Sequence, residues 1–275
     1  MNQASTKPPL FDTGFSDLRK KRALRQNPEP HFLNEWALKD ITDRLDVIRR
    51  DFKETIMHGH NMDGITGPEK KLGTVTTLEM TGEDEILPLE VESCDLFISV
   101  NEIQRLNDPL TFLLQARHAL KPDGFFICAF PGEMVLPELK DAVTQAEMNL
   151  RGGLSPRLLP TIAKADMGAL MQRAGFALPV VDSETLHLSY KKLDTLYADI
   201  RALGGGNILS ARDKRFAGKG FFNEVERIYA QNHKNEDGTY KATIEMVFAA
   251  GWAPHSSQQQ PSERGSGTVS LTDIL

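Results

Sequence analysis

A glycine set between two histidines, His58-Gly59-His60, runs on into Asn61, Met62 and Asp63. Those residue types permit two chemistries. If a strand precedes them, Gly59 lets the backbone turn closely under a nucleotide-type ligand. In an extended segment, His58 and His60 point the same way with Asp63 close by, which approaches metal-ligand spacing. A His-x-His metal site needs further histidines, and His31, His118, His187, His233 and His255 fall in no partner motif. The ligand turn is therefore the reading kept, and no metal is expected. Further along, Arg157, Arg201 and Arg212 carry the planar donor fork that grips carboxylates. They would hold an acidic substrate or partner, or pair with structural acids such as Asp182 and Asp199. Cys94 and Cys128 lie in apolar runs and read as small buried hydrophobes rather than nucleophiles.

The elements that position these residues follow from periodicity. From Phe32 to Phe52 the apolar positions Leu33, Trp36, Ala37, Ile41, Leu45 and Ile48 recur at helical spacing. Strands are expected at Glu54–Met57, leading into the glycine turn, and at Gly73–Glu79. The largely apolar runs Cys94–Val100 and Gly124–Phe130 fit strands buried on both faces. Between them Asn107-Asp-Pro109 opens a helix through Leu120, and Lys121-Pro-Asp-Gly124 is a turn. This alternation predicts a doubly wound, mostly parallel α/β sheet with helices on both faces. In the second half helices are expected over Leu136–Leu150, Met167–Ala174, Leu193–Leu203 and Phe221–Asn232. Phe176–Val181 and Thr185–Tyr190 read as a strand pair, and Tyr240–Ala249 as the last strand. One glycine suffices to cap the helix that Gly204-Gly-Gly206 ends; the other two point to mobility.

Composition limits the classes of function. The 275 residues carry 32 Lys and Arg against 38 Asp and Glu, a net charge of -6, with 40% hydrophobic residues, 21 Gly and 2 Cys. That excludes a collagen, a coiled coil or a disulfide scaffold, and it disfavours binding to nucleic acid through a basic face. The local exception is Arg19, Lys20, Lys21, Arg22 and Arg25, read as a solvated helix turn. No run reaches the roughly 18 apolar residues of a membrane span, and no secretory h-region is visible, so a cytoplasmic protein is expected. Residues 1–30 read as a leader and the start of a basic helix, 31–255 as the main domain, and 256–275 as a disordered polar tail.

Particular residues then carry a resemblance. Leu87-Pro-Leu89, Cys94–Ser99, Asn107-Asp-Pro109 and Leu120–Phe126 resemble the middle of class I S-adenosylmethionine-dependent methyltransferases of type 11. Leu136–Leu139, Gly152–Arg157, Ala174–Asp182, Asp199–Asn207 and Gly251–Pro261 are similar to the bacterial relatives of mitochondrial respiratory complex I assembly factor 5. More distantly, the pattern resembles the malonyl-carrier-protein O-methyltransferase of the biotin pathway. The resemblance spans about Phe11 to Gly265.

It implies a seven-stranded, Rossmann-like sheet with S-adenosylmethionine across the ends of the early strands. Gly59 would stand at the first glycine of the cofactor loop, Glu79 would accept from the ribose hydroxyls, and Asp84 would accept from the adenine amine. Ser99 would face the cofactor's methyl group, with Asn101, Arg157 and Arg201 on the substrate side. The loop departs from the family pattern because His60, Asn61 and Met62 place side chains where closely spaced glycines are usual. Three functions follow: a methyltransferase-like enzyme on an unidentified small-molecule or protein substrate, an arginine hydroxylase and assembly factor acting on a complex I subunit, or a scaffold that has lost its cofactor.

Overall fold

The computed structural model describes residues 9–62, 69–80 and 85–259. In chain order these form α1 (Thr13–Gln26), α2 (Phe32–Asp46), β1 (Glu54–Gly59), α3 (Glu69–Leu72), β2 (Thr74–Leu78) and β3 (Cys94–Val100). A short 3-10 turn at Ile103–Arg105 leads to α4 (Pro109–Ala119), β4 (Leu120–Val135), α5 (Pro137–Arg151) and α6 (Lys164–Arg173). The chain continues through β5 (Ala177–Tyr190), α7 (Leu193–Ala202), α8 (Gly218–Asn232) and β6 (Tyr240–Trp252).

The strand order is β2-β1-β3-β4-β6-β5. β2, β1, β3 and β4 run parallel, and β6 enters antiparallel between β4 and β5. All seven residues of β3 are buried, so its side chains alternate between two apolar layers. Phe97, Phe126, Cys128 and Phe130 face one side, against Leu113 and Ala116 of α4 and Met167 and Met171 of α6. Leu96, Ile98, Phe125 and Ile127 face the other, under Ala37, Leu38, Ile41 and Leu45 of α2. Burying each large apolar side chain contributes roughly 1.5–3 kcal/mol. A third apolar cluster joins α5, α7 and α8 around Tyr190 and Tyr240.

The class of fold is as expected, but three details differ. The described residues form six strands, not seven. The expected strand pair within 176–190 is one strand, β5, which follows β6 from Val180–Ala250 to Tyr190–Tyr240; its irregularity lies at Leu178, φ 50°. The Lys121–Gly124 turn is a bulge inside β4. Cys94 pairs with Leu120 and Leu96 with Phe125, with Asp123 at φ 61°.

The N-terminal segment also departs from the expectation of a solvated basic turn. Lys21, Arg22 and Arg25 are exposed, but Lys20 is buried against the body and Arg19 Nε donates to Gly205 O at 2.9 Å. Phe11 bridges to Leu209. α1 therefore covers the carboxyl ends of the central strands, where the strand order reverses between β1 and β3 and open α/β sheets place their ligands. Among the described residues no helix is long and apolar enough to cross a membrane.

Candidate functional site

β1 delivers Gly59 to the sheet's carboxyl edge. A Cβ there would lie 2.9 Å from both Val100 O and Met62 Cγ, so only glycine allows the approach. The following turn closes with Asn61 at φ 53°. Its side chains turn inward. His58 is buried between Phe97 and Phe112, its Nδ1 3.0 Å from Ser99 Oγ. Burial lowers its pKa to about 4, so it is neutral at pH 7. His60 Nδ1 lies 3.1 Å from Glu79 Oε1, and Asn61 N donates to the same oxygen at 3.2 Å. The His60 hydrogen bond is the main cause that holds the Glu79 carboxyl below its ordinary range. Met62 is part of the core under α2.

On the cofactor side the predicted residues are thus engaged with the protein. Gly59 meets Met62, Glu79 shares an oxygen with His60 and Asn61, and Ser99 is buried against His58. Asp84 lies outside the described residues. Its neighbour Glu85 is structural: its carboxylate accepts from Asn107 N, Asn107 Nδ2 and Asp108 N at the start of α4. Between Met80, Glu85 and α1 remains a cavity of about 30 Å³, against the roughly 300–1,000 Å³ of ordinary small-molecule sites. Lys20 Nζ closes it with a 2.5 Å ion pair to Glu102 Oε2. S-adenosylmethionine bound here would have to displace these contacts among the described residues. His58 and His60 do not converge as ligands, since their Nδ1 atoms go to Ser99 and Glu79.

Arg105 separates this small cavity from a larger one of about 280 Å³. Leu136, Leu139, Leu158, Leu196, Ile200 and Ile244 supply apolar wall, and Asn101 and Pro131 bring it to the ends of β3 and β4. Asn101 takes φ 57°, with Nδ2 donating to Asn34 Oδ1 at 2.6 Å. Arg157 lines the wall, but Glu147 accepts from its Nε at 2.5 Å and its guanidinium sits 4.7 Å from the Phe221 ring centre. Arg201 is exposed beside α1, outside this cavity, and Arg212 pairs with Asp12. Of the expected substrate-side set the structure brings together Asn101 and Arg157 but not Arg201.

Sequence reasoning missed His31, Tyr190 and Asp199, which line the same cavity. Asp199 accepts from Tyr190 Oη at 2.8 Å rather than pairing with an arginine, and Asp182 pairs with Arg44. No motif marks them, because a strand end, a helix face and a helix cap converge only through the sheet order.

The Gly204-Gly-Gly206 segment is packed, which corrects the expectation of mobility there. Gly204 at φ 64° adjoins Lys20, a Cβ on Gly205 would lie 2.6 Å from Ile200 O, and Arg19 lies across Gly206. Gly205→Ala is expected to cost about 1–3 kcal/mol through that overlap with backbone, read as a lower melting temperature. An unchanged melt would show the segment free to shift.

Comparison with known proteins gives a methyltransferase-domain family match over residues 57–128. The chain is 31% identical to human "Arginine-hydroxylase NDUFAF5, mitochondrial", over 96% of this chain and 83% of that protein. It is 30% identical to the malonyl-[acyl-carrier protein] O-methyltransferase of Laribacter hongkongensis, over 67% of this chain and 60% of that one. Among solved structures it is similar to Haemonchus contortus phosphoethanolamine N-methyltransferase 2 in complex with S-adenosyl-L-methionine. There the TM-score is 0.42 and the identity 15%, over 88% of this chain and 57% of that one.

Proposed function

The chain belongs to the arginine-hydroxylase NDUFAF5 family of methyltransferase-like proteins, and from that premise we propose that it modifies an arginine of a protein substrate, a subunit of respiratory complex I. The observation that carries this reading is the likeness to arginine hydroxylases along 96% of the chain, joined to a 280 Å³ cavity at the acceptor side of the fold. The apolar walls suit the methylene stem of a long side chain and exclude water from its end. Hydroxylation inserts one oxygen atom of dioxygen into a C–H bond while the other leaves as water, with two electrons and two protons drawn from an external reductant; the part this chain's own residues play is to position and desolvate the side chain. The buried free thiols Cys94 and Cys128 suit a reducing compartment, the cytoplasm.

Mass spectrometry of arginine peptides from a complex I subunit co-expressed with this chain tests the reading. An added oxygen supports it. Arginines that stay unmodified overturn it.

Methyl transfer is the second reading, favoured by the family match over 57–128 and by Glu79 at the end of β2. It predicts an added methylene instead. The methyltransferase domain supports S-adenosylmethionine as the cofactor, and Gly59, Glu79 and Ser99 are the described residues nearest its expected place. Calorimetric titration with S-adenosylhomocysteine reads binding directly. Glu79→Ala is expected to abolish the heat and, by freeing His60 and Asn61 N from a half-exposed carboxylate, to cost about 1 kcal/mol of stability. Wild type that gives no heat at all leaves the scaffold reading for this half of the site.

A further inference from the structure

We infer that Asp199 is the group in the 280 Å³ cavity that receives the substrate guanidinium, with the carbonyl oxygens of Asn101 and Gln104 as further acceptors. The inference rests on the arginine reading and deepens it by assigning residues to recognition.

Six charged or titratable side chains among the described residues line the cavity: His31, Arg105, Lys140, Arg157, Tyr190 and Asp199. The cations among them are already engaged. Arg105 donates to Ser16 Oγ and to the carbonyls of Leu203 and Gly204. Lys140 Nζ donates to Glu133 O at 3.2 Å, and Arg157 is held by Glu147 over Phe221.

Among the described residues Asp199 is the one acid in the wall, and no lysine or arginine pairs with it. Its ion-pair neighbour within 4 Å, among the described residues, is His31, with Nε2 3.9 Å from Oδ1. Burial lowers the His31 pKa, and its Nδ1 accepts from Leu33 N, so the ring is neutral with its proton on Nε2. Tyr190 fixes the other carboxylate oxygen. Burial first, and then Asp199, push the Tyr190 phenol upward, which keeps it a donor.

Two neutral acceptors complete the set. Asn101 gives its amide hydrogens to Asn34 and Gln104 gives its own to Asn101 O, which leaves Asn101 Oδ1 and Gln104 Oε1 buried without partners. A guanidinium carries five donors and no acceptor, so one open carboxylate oxygen and two unpaired carbonyls are its complement. Arg157 Nη2 is also unpaired, which makes an acidic ligand the competing occupant.

Titration of the full chain with Nα-acetyl-L-arginine amide tests the assignment. The citrulline analogue serves as the uncharged control, and Nα-acetyl-L-glutamate amide as the acidic one. Wild type is expected to bind the arginine probe and neither of the others. Asp199→Asn keeps an acceptor for Tyr190 and should weaken binding about ten- to hundred-fold, the range of a hydrogen bond to a charged group. Tyr190→Phe leaves the charge in place and should weaken it only a few-fold. Equal affinity in Asp199→Asn, equal binding of citrulline, preference for the glutamate probe or no saturable binding of the arginine probe would each overturn the assignment. The arginine reading fails separately. Modified arginine at wild-type level with Asp199→Asn removes the assignment alone, whereas no modified arginine with wild type removes the reading.

Discussion

Replacing Lys20 by methionine is expected to lower the stability of the fold by about 3–5 kcal/mol, the cost of leaving one member of a buried ion pair alone. Lys20 is buried, Glu102 more so, and Glu102 Oε1 has no hydrogen-bond partner. Burial alone would raise the Glu102 pKa. The charges of Lys20 and Arg105 more than offset this and hold it at about 2, against an ordinary 4.5. Stability from Glu102 is thus present above pH 4.5 and lost as pH falls through about 2. His58 adds to the acid sensitivity from higher pH. Its folded pKa of about 4 lies below the ordinary 6.5, so its contribution fades as pH falls from 6.5 towards 4. Urea unfolding of Lys20→Met at neutral pH gives the cost, and the same titration of wild type across this acid range gives the pH dependence. Lys20→Met paired with Glu102→Leu should recover part of the loss, because the carboxylate is no longer left buried without Lys20, while Arg105 loses the Glu102 charge but keeps its hydrogen bonds to Ser16 and to the Leu203 and Gly204 carbonyls. A single variant as stable as wild type would mean that α1 does not hold its place over the strand ends.

Glu147→Ala is the second large effect, about 3–4 kcal/mol. Glu147 is buried on α5, and its carboxylate accepts from Ser155 N, Ser155 Oγ and Arg157 Nε. Those three bonds fix the segment that carries Leu158 into the cavity wall. Removing them leaves Arg157 half-buried with its cation–π contact to Phe221 as its remaining anchor. Chemical unfolding measures the loss. Amide exchange of residues 153–161 should rise at the same time, and unchanged protection there would show that other contacts hold the wall.

The centre of the sheet was legible because its inner strands are buried on both faces. Cys94–Val100 reads as an unbroken apolar run, and β3 has those bounds. Asp108 and Pro109 announce α4, and the structure shows Asp108 capping it through Thr111 N. What periodicity does not carry is long-range geometry. Lys20 belongs to a basic run that looks solvated, yet its partner Glu102 lies 82 residues away. Gly204-Gly-Gly206 looks loose in sequence because the side chains that need its missing Cβ atoms, Arg19 and Lys20, come from α1. His60 and Met62 were legible as side chains in a glycine loop; that His60 would engage Glu79 depends on the β1–β2 pairing. Asp199 and Arg201 sit two apart on α7, and one reaches the cavity while the other faces α1, a difference of helix face.

Action on protein arginine leaves a mass change on the substrate. The most direct measurement compares complex I subunits from cells that carry the wild-type chain with those from cells that lack it, arginine peptide by arginine peptide, by mass spectrometry. The expected result is an arginine bearing one added oxygen only when the chain is present, and its loss when Asp199→Asn replaces wild type. Arginine peptides of identical mass in the two cell lines, with the wild-type chain folded and present, would contradict it.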